Sequence, residues 1–412
     1  MAGEAIGVTP ARRVLVIIQG DLGDRPVGPE IRGLEIARGF AGRHQVTIAA
    51  TTDVPFVHDG LPVVPRSRRS LLHEMSRNDV VVGPVLPPHL LSALAPRACI
   101  RVSDLYDPVD LEVGTVQGSD RAVLQQRALR RLQLRWSDVV VSANDRQQER
   151  ARTELKSAGR PGHAPCLVKV PMGLSDPPAP SADRPLRDRF GFGADDPVVL
   201  WWGTAWRWLD AEGAVRAIAE LAVRRPDVRL VITAGKPRDS RVDPLNRTDA
   251  ARELAVALDV LDRNVFFLTD WVALGQRDRY LVDADLGITL STAGPEAALA
   301  ARTRYMDYLW TSLPSVLTAG DELADEMAAA GAARLVAAHD VAGAAAMIEH
   351  LLTDLSTRET ARAACRAVAD RYRWPAIVAP LVEAVEALEP AGGSIGEIAM
   401  TMLDSGRYYA RR

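Results

Sequence analysis

The sequence predicts a doubly wound α/β protein in two halves, and three observations carry that reading. Continuous apolar runs such as 14–18 (VLVII) and 198–202 (VVLWW) have the composition of strands buried on both faces of a parallel sheet. Each leads into a Gly- or Pro-containing loop and then an amphipathic helical stripe, the alternation that parallel β–α–β units require. Near the middle, the polar, proline-rich segment 175–185 (SDPPAPSADRP) interrupts the rhythm and reads as a linker. The division expected is a Rossmann-like domain over 1–172, a second over 173–388, and a tail over 389–412 that packs back on the first.

A chain of 412 residues exceeds one ordinary core, which agrees with two domains. A net charge of -3 gives no global attraction to nucleic acid. The chain contains no apolar run of 18 residues, and MAGEAIGVTPARR lacks the apolar centre of a secretory signal, so a cytoplasmic protein is expected. Cys99, Cys166 and Cys365 are scattered without metal or redox spacing and suit reduced thiols.

In the first half, the run 14–18 opens into QGDLGDRPVGPE, where Gly28 fits a cap, Pro29 the first helical position and Glu30 the first turn. Ile31, Leu34, Ala37 and Phe40 extend the helical stripe, and a strand follows over 45–50. The helix start suits an anion or a hydroxylated ligand, and Gly20, Gly23 and Gly28 suit a bare turn equally well. No GxGxxG occurs, which argues against a nicotinamide enzyme. Further strands are expected at 80–82, 99–102 and 139–141. Between them, RVSDLYDPVDLE places Asp104, Asp107 and Asp110 near a strand end, either as contacts to an acceptor hydroxyl or as helix caps. The helix expected over 120–136 carries Arg127, Arg130, Arg131 and Arg135 on one side and Leu124, Ala128, Leu132 and Trp136 on another. Such a face meets either water or, with the RSRR run at 66–69, an anionic membrane surface.

The second half restarts the rhythm with strands at 198–202, 228–233, 265–268 and 286–290. Their ends deliver Gly203 with Thr204, Lys236 with Arg238, Trp271 with Val272, and Glu296 with Arg302, Arg304 and Asp307. On a parallel sheet all four ends open on one crevice, where ligands of such folds bind. Backbone N–H groups of Gly203 and Thr204 at a helix start suit a diphosphate, and Lys236, Arg238, Arg302 and Arg304 suit its charge. Trp271 and Val272 suit a base, and Asp307 suits ribose hydroxyls. The competing reading makes Trp271 and Trp310 core aromatics and the arginines surface partners of nearby acids.

Taken together these stretches resemble the retaining, nucleotide-sugar-dependent glycosyltransferases of family 4 with the GT-B fold. The likeness runs over about 13–388 and rests on GPEIRGLEIARGFAGRHQVTIA, DLYDPVDLE, VVVSANDRQ, VPMGL, WWGTAWRWLDAEGAVRAI, DRNVFFLTDWV, DADLGITLS, TRYMDYLWTSLPSV and YRWPAIVAPLVE. It implies two Rossmann-like domains facing each other across a cleft. The family's E-x7-E signature, counted back from Pro314, puts its second acid on Asp307 and its first on Leu299, with Glu296 the nearest substitute. The family's phosphate clamp implies Lys236 as the lysine and the loop Trp206-Arg207 as the source of the arginine. Its acceptor-side histidine has no equivalent, since Asp104 and Asp107 occupy that region, beside Gly28.

The expectation is therefore transfer of a sugar from a nucleoside diphosphate donor to an acceptor hydroxyl, with retention and without a metal or other cofactor. Lys236, Arg302 and Arg304 would stabilise the leaving diphosphate, and Glu296 joins them as a catalytic candidate in place of the family's first acid. The acceptor class stays open among small molecules, glycans and lipid-linked molecules, as do the donor base, the oligomeric state and peripheral contact with the inner face of the membrane. Two alternatives stand beside this reading: a nucleotide-sugar epimerase or hydrolase on the same architecture, and a catalytically degenerate partner protein, which Leu299 favours.

Overall fold

The computed structural model describes residues 10–23, 27–117, 120–158, 164–235 and 246–410. The chain folds into two compact units: one from residues up to Asp110, Asp120–Pro171 and Trp374 onward, the other chiefly from Met172–Arg373.

The first unit is built on a sheet of eight strands: β1 (Arg13–Ile17), β2 (Gln45–Ala50), β3 (Phe56–His58), β4 (Leu61–Pro65), β5 (Val80–Gly83), β6 (Ile100–Asp104), β7 (Val139–Ser142) and β8 (Cys166–Lys169). Their spatial order is β3-β4-β2-β1-β5-β6-β7-β8, parallel throughout except for the antiparallel β3–β4 pair. Because β2 lies to one side of β1 and β5 to the other, the chain reverses its winding between β1 and β5. At such a switch point two loops diverge and leave a crevice at the strands' carboxyl ends. Central strands are apolar on both faces because helices cover both faces: Val14, Leu15, Ile48, Val80, Val81, Val102 and Val139 are all fully buried.

The expected strands form with shifts of one or two residues at their ends. The β3–β4 hairpin was not anticipated, because Pro62 and Pro65 disguise β4 as a loop. Proline is tolerated this far out in a sheet, and the pair's tight turn is marked in sequence by Asp59-Gly60, which take φ of 49° and 80°.

The expected boundary at 388 is corrected: the helix Trp374–Glu386 belongs to the first unit. Its buried face, Ile377, Val378, Leu381, Val382 and Val385, lies on the helix Gly28–Ala41, and Arg12 donates to the Val385 carbonyl at 2.7 Å. An amphipathic stripe shows that a helix is covered but not which core covers it. The tail forms the helix Ile395–Ala410, which packs on Pro88–Leu94 and Asp120–Trp136 of the same unit.

The second unit has six parallel strands: β9 (Val198–Trp201), β10 (Arg229–Thr233), β11 (Val265–Leu268), β12 (Leu286–Thr289), β13 (Ser315–Thr318) and β14 (Ala333–Val336). Their order is β11-β10-β9-β12-β13-β14, so the switch point lies between β9 and β12. Val199, Leu230, Ile232, Ile288 and Val316 pack with Val215, Ile218 and Leu221 of the helix Ala211–Ala222 into one core.

A Cβ on Gly39 would overlap Val378 Cγ1, so the backbone of Gly28–Ala41 approaches Trp374–Glu386 as closely as only glycine permits. Gly39→Ala should lower unfolding free energy by roughly 1–3 kcal/mol through overpacking, and Val378→Ala in the same chain should recover part of it. Urea unfolding of the two single variants and the double variant checks this; additive losses would refute the contact.

Candidate functional site

The site of the second unit lies at the switch point, where β9 ends at Trp201 and β12 ends at Thr289. The helix Thr303–Trp310 sits between β12 and β13 in sequence and turns Tyr305, Met306, Tyr308 and Leu309 into the core. The Tyr308 hydroxyl lies 2.9 Å from the Ile288 carbonyl and 3.2 Å from that of Leu200, which fixes the helix over the carboxyl ends of both strands.

Arg304 is carried by this helix into the loop after β9. It is 8% exposed. One terminal nitrogen, Nη2, donates to the Thr204 carbonyl at 2.7 Å, and the guanidinium carbon lies 5.4 Å from the Trp201 ring centroid. The other, Nη1, is buried without a hydrogen-bond partner among the described residues. Burial pushes the guanidinium down to about 10, still protonated at neutral pH. Gly203 takes φ +83°, and a Cβ there would sit 3.6 Å from Arg304 Nη2, so the loop turns sharply against the arginine.

The expected role of Gly203 changes. Its N–H donates to Thr233 Oγ1 at 2.6 Å, and the next helix begins only at Ala211, capped by Asp210, whose Oδ1 accepts from the Gly213 N–H at 2.7 Å. Gly203 therefore shapes the arginine's loop and does not present its N–H at a helix start; Thr204 contributes its carbonyl.

Asp307, three residues after Arg304, is held by two groups that sequence reasoning missed. Trp202 Nε1 donates to its Oδ2 at 3.0 Å, and Arg277 Nη1 lies 3.3 Å from Oδ1. Arg277 in turn lies over the Trp310 ring, 4.5 Å from its centroid, so Trp310 is a platform for a cation as well as a packed aromatic. Burial raises the carboxyl's pKa, opposed by Arg277 and Trp202. Trp202 was visible within the WWGTAW run; Arg277, in QRDRY, carried no signal that sets it apart from a surface arginine.

Glu296 and Arg302 pair with each other. Both are buried, with Arg302 Nη2 donating to Glu296 Oε2 at 2.9 Å, and Arg302 Nε faces Asp321 Oδ2 at 3.8 Å. Asp321 Oδ1 caps the helix Glu322–Ala329 by accepting from the Ala324 N–H at 3.0 Å. Burial raises the pKa of Glu296 against the opposing pull of Arg302, and raises that of Asp321 to about 6. This triad is closed: Arg302 has two acids to neutralise, and Glu296 is unavailable as a substitute for the missing acid at Leu299. Asp321, in the loop after β13, was missed although it stands at a strand end like the residues singled out.

Of the remaining residues, Trp206 stacks on Trp208 at 5.6 Å with 15° between the planes, and Arg207 between them is exposed. Trp271 lies half-buried against Gly235, and Val272 is half-buried beside it at the end of β11. Lys236 and Arg238 lie outside the described residues.

In the first unit a cavity opens at the switch point between β1 and β5, lined by Gln19, Pro29, Gly83, Asp104, Tyr106 and Asp107 among others. Asp104 is taken by Arg32, a fully buried residue, in a bidentate pair: Nε to Oδ2 at 2.7 Å and Nη2 to Oδ1 at 2.8 Å. Arg32 also donates to the Pro171 carbonyl at 3.0 Å. Asp110 pairs with Arg150 at 2.6 Å, and Asp107 lines the cavity together with Asp104. At Gly28 the helix start is closed by its own acid: Glu30 Oε2 accepts from the Val27 N–H at 2.9 Å, and its other oxygen packs where a side chain on Gly20 would stand. The basic face expected on Asp120–Trp136 is partly consumed, with Arg130 on Glu154 at 2.6 Å and Arg135 on Asp404 at 3.0 Å.

No family model and no curated protein matched the sequence. Solved structures match the fold. Sucrose-phosphate synthase from Thermosynechococcus elongatus superposes with a TM-score of 0.66 at 15% identity, over 90% of this chain and 98% of that one. Anabaena HepE in complex with UDP-glucose gives 0.68 at 16%, over 92% and 100%. The alpha,alpha-trehalose 6-phosphate synthase of Burkholderia multivorans gives 0.65 at 14%, over 92% and 98%. The chain thus has the GT-B fold, two Rossmann-like units with a parallel sheet in each.

The buried triad sets a pH dependence. An acid with its pKa raised from 3.8 to about 6 on folding contributes stability that is complete below 3.8 and is lost as pH rises through about 6. Asp321→Asn keeps an acceptor for the Ala324 N–H and removes that titration. The stability difference between wild type and Asp321→Asn should therefore change between pH 4 and 6 and level off above it; a difference constant with pH in denaturant titrations would refute the assignment.

Proposed function

We propose that the chain is a glycosyltransferase that moves a sugar from a nucleoside diphosphate donor to an acceptor hydroxyl, with the donor on the second unit. The observation that carries this reading is Arg304: a buried cation at the switch point with one nitrogen unpartnered among the described residues. A guanidinium in that state recognises an anion with oxygen lone pairs, and a diphosphate supplies both charge and acceptors. The placement matches the general rule for ligands of doubly wound sheets. The fold is shared with proteins solved with UDP and with UDP-glucose, which makes uridine donors the first to test.

In the reaction the bond from the anomeric carbon to the diphosphate oxygen breaks, and a bond from that carbon to the acceptor oxygen forms. The acceptor's proton passes to the leaving phosphate. Charge grows on the diphosphate as the bond breaks, and Arg304 is placed to stabilise it without reorganising, since Thr204 and the Trp201 ring already fix its plane. Asp307 is oriented by Trp202 and Arg277, with lone pairs left for ribose hydroxyls. Lys236 and Arg207 would add charge on the same phosphates. Retention, and a charge balance supplied by side chains in place of a metal, are part of this proposal. The acceptor would bind in the first unit, with Asp107 in the cavity beside Gly28.

A second reading, a degenerate partner protein, is favoured by Leu299 and by the locking of Glu296 on Arg302, which leave the first acid position of the signature empty of a free carboxylate. Donor binding separates the two.

Calorimetric titration with UDP-, GDP-, dTDP- and ADP-sugars should show one donor binding. Arg304→Ala should weaken it by roughly 10–100-fold, the worth of a charged hydrogen bond, and Arg302→Ala should instead lower the melting temperature. No binding by any donor would remove the transferase reading and leave the partner protein. Where turnover is measurable, Arg304→Ala should cut kcat by roughly 10²–10³-fold.

A further inference from the structure

We propose that the outward face of the C-terminal helix Ile395–Ala410 seats the protein on an anionic lipid surface, an inference independent of the sugar-transfer reading. The inward face of this helix is already fastened to the first unit. Tyr409 Oη lies 2.9 Å from His89 Nδ1, Ser405 Oγ lies 2.7 Å from Ser92 Oγ, and Met400 and Tyr408 pack on the apolar cluster of Leu90, Leu94 and Trp136. A surface helix so held needs only polar residues outside. Instead Ile395 is 88% exposed, Met402 56% and Leu403 60%, with Ala399 and Gly406 completing the same stripe at helical spacing.

The charges of the helix are sorted around that stripe. Glu397 turns back to accept from the Ser394 N–H at 2.7 Å, and Asp404 is held by Arg135 at 3.0 Å, with its side chain only 14% exposed. Arg407, one turn beyond Leu403, is 74% exposed and shares Asp404 with Arg135, at 3.8 Å and 3.0 Å, so two cations meet one acid there and a net positive charge faces outward. On the adjoining helix Asp120–Trp136, Leu124 is 62% exposed and Arg127 58%, with Arg127 lying 3.6 Å from buried Asp110, which Arg150 also contacts at 2.6 Å. Apolar residues with cations beside them and acids turned inward are what an interfacial helix presents to anionic headgroups. No helix among the described residues is long and apolar enough to cross a membrane, so contact of this kind lies on the surface.

A second copy fits less well. An isologous pair brings the same patch of both copies together, so two net positive clusters, each of Arg135 and Arg407 around one Asp404, would approach each other. Anionic lipid answers that charge.

Flotation of the full chain with vesicles of phosphatidylglycerol and phosphatidylcholine, against phosphatidylcholine alone, tests the proposal. Wild type should float with the anionic vesicles only. Met402→Ser with Leu403→Ser should lower the bound fraction at least fivefold, and so should Arg407→Glu. Both variants should keep the wild-type melting curve, because the substituted side chains are exposed, and the wild-type response to nucleotide sugars, which separates this proposal from the functional one. Failure of wild type to float, equal binding to neutral vesicles, or a dimer in light scattering that the Met402/Leu403 variant dissolves would each overturn it.

Discussion

A guanidinium held out of water with only part of its hydrogen-bonding met is the constraint on which the second unit turns. Burying a charge costs several kcal/mol even after relaxation, and for Arg304 the protein returns a single carbonyl and the face of one indole. The fold has to force this placement, and it does so through Tyr308. That side chain is fully buried, and its hydroxyl lies at the carbonyls of Ile288 and Leu200, one on each side of the switch point. The helix cannot roll to bring Arg304 into water without withdrawing Tyr308 from both strands. Cost of this kind persists where a ligand repays it, and this is the physical basis of the role proposed for Arg304.

Arg302 and Arg304 show how little composition says about role. Arg302 stands just before the helix with extended backbone, φ -78° and ψ 107°, whereas Arg304 lies in its first turn, so the two side chains leave in different directions. Arg302 goes inward to Glu296 and Asp321, while Arg304 goes to the loop after β9. They cannot clamp one phosphate together. The sequence presents both as cations at a helix start, and only the backbone separates the one that is neutralised from the one that is not.

This also marks what was legible. The alternation of apolar runs and stripes located the strands β1, β2, β5, β6, β7 and all of β9 to β13 because each is buried on both faces and so continuous in composition. The strands β3, β4, β8 and β14 were lost, since a strand at or next to the edge of a sheet admits proline, arginine and lysine; only Asp59-Gly60 announced one of them. Within the site, loop position relative to strand ends brought forward Gly203, Thr204, Glu296, Arg304 and Asp307. Partnership was not legible: that Arg32 takes Asp104, that Trp202 and Arg277 hold Asp307, and that Asp321 completes the triad depend on contacts between residues tens of positions apart in sequence.

The two units end up electrostatically opposite at equivalent places. Each sheet has a switch point, between β1 and β5 in the first and between β9 and β12 in the second, and in the first a helix starts beside it. In the first unit that helix start, at Gly28, is filled by the chain's own carboxylate, Glu30, and the acid nearest it, Asp104, is cancelled by Arg32. A further anion would have to displace Glu30 from the Val27 N–H, against repulsion from Asp107 in the cavity that Pro29 also lines. In the second unit the equivalent region holds Arg304 with a nitrogen to spare. A polyanionic co-substrate is thus disfavoured by one crevice and favoured by the other, whereas a neutral hydroxylated molecule meets acceptors in the first without that penalty. The asymmetry follows from a few side chains on two copies of one topology, and it is what makes the proposed division between donor and acceptor a physical statement about this chain.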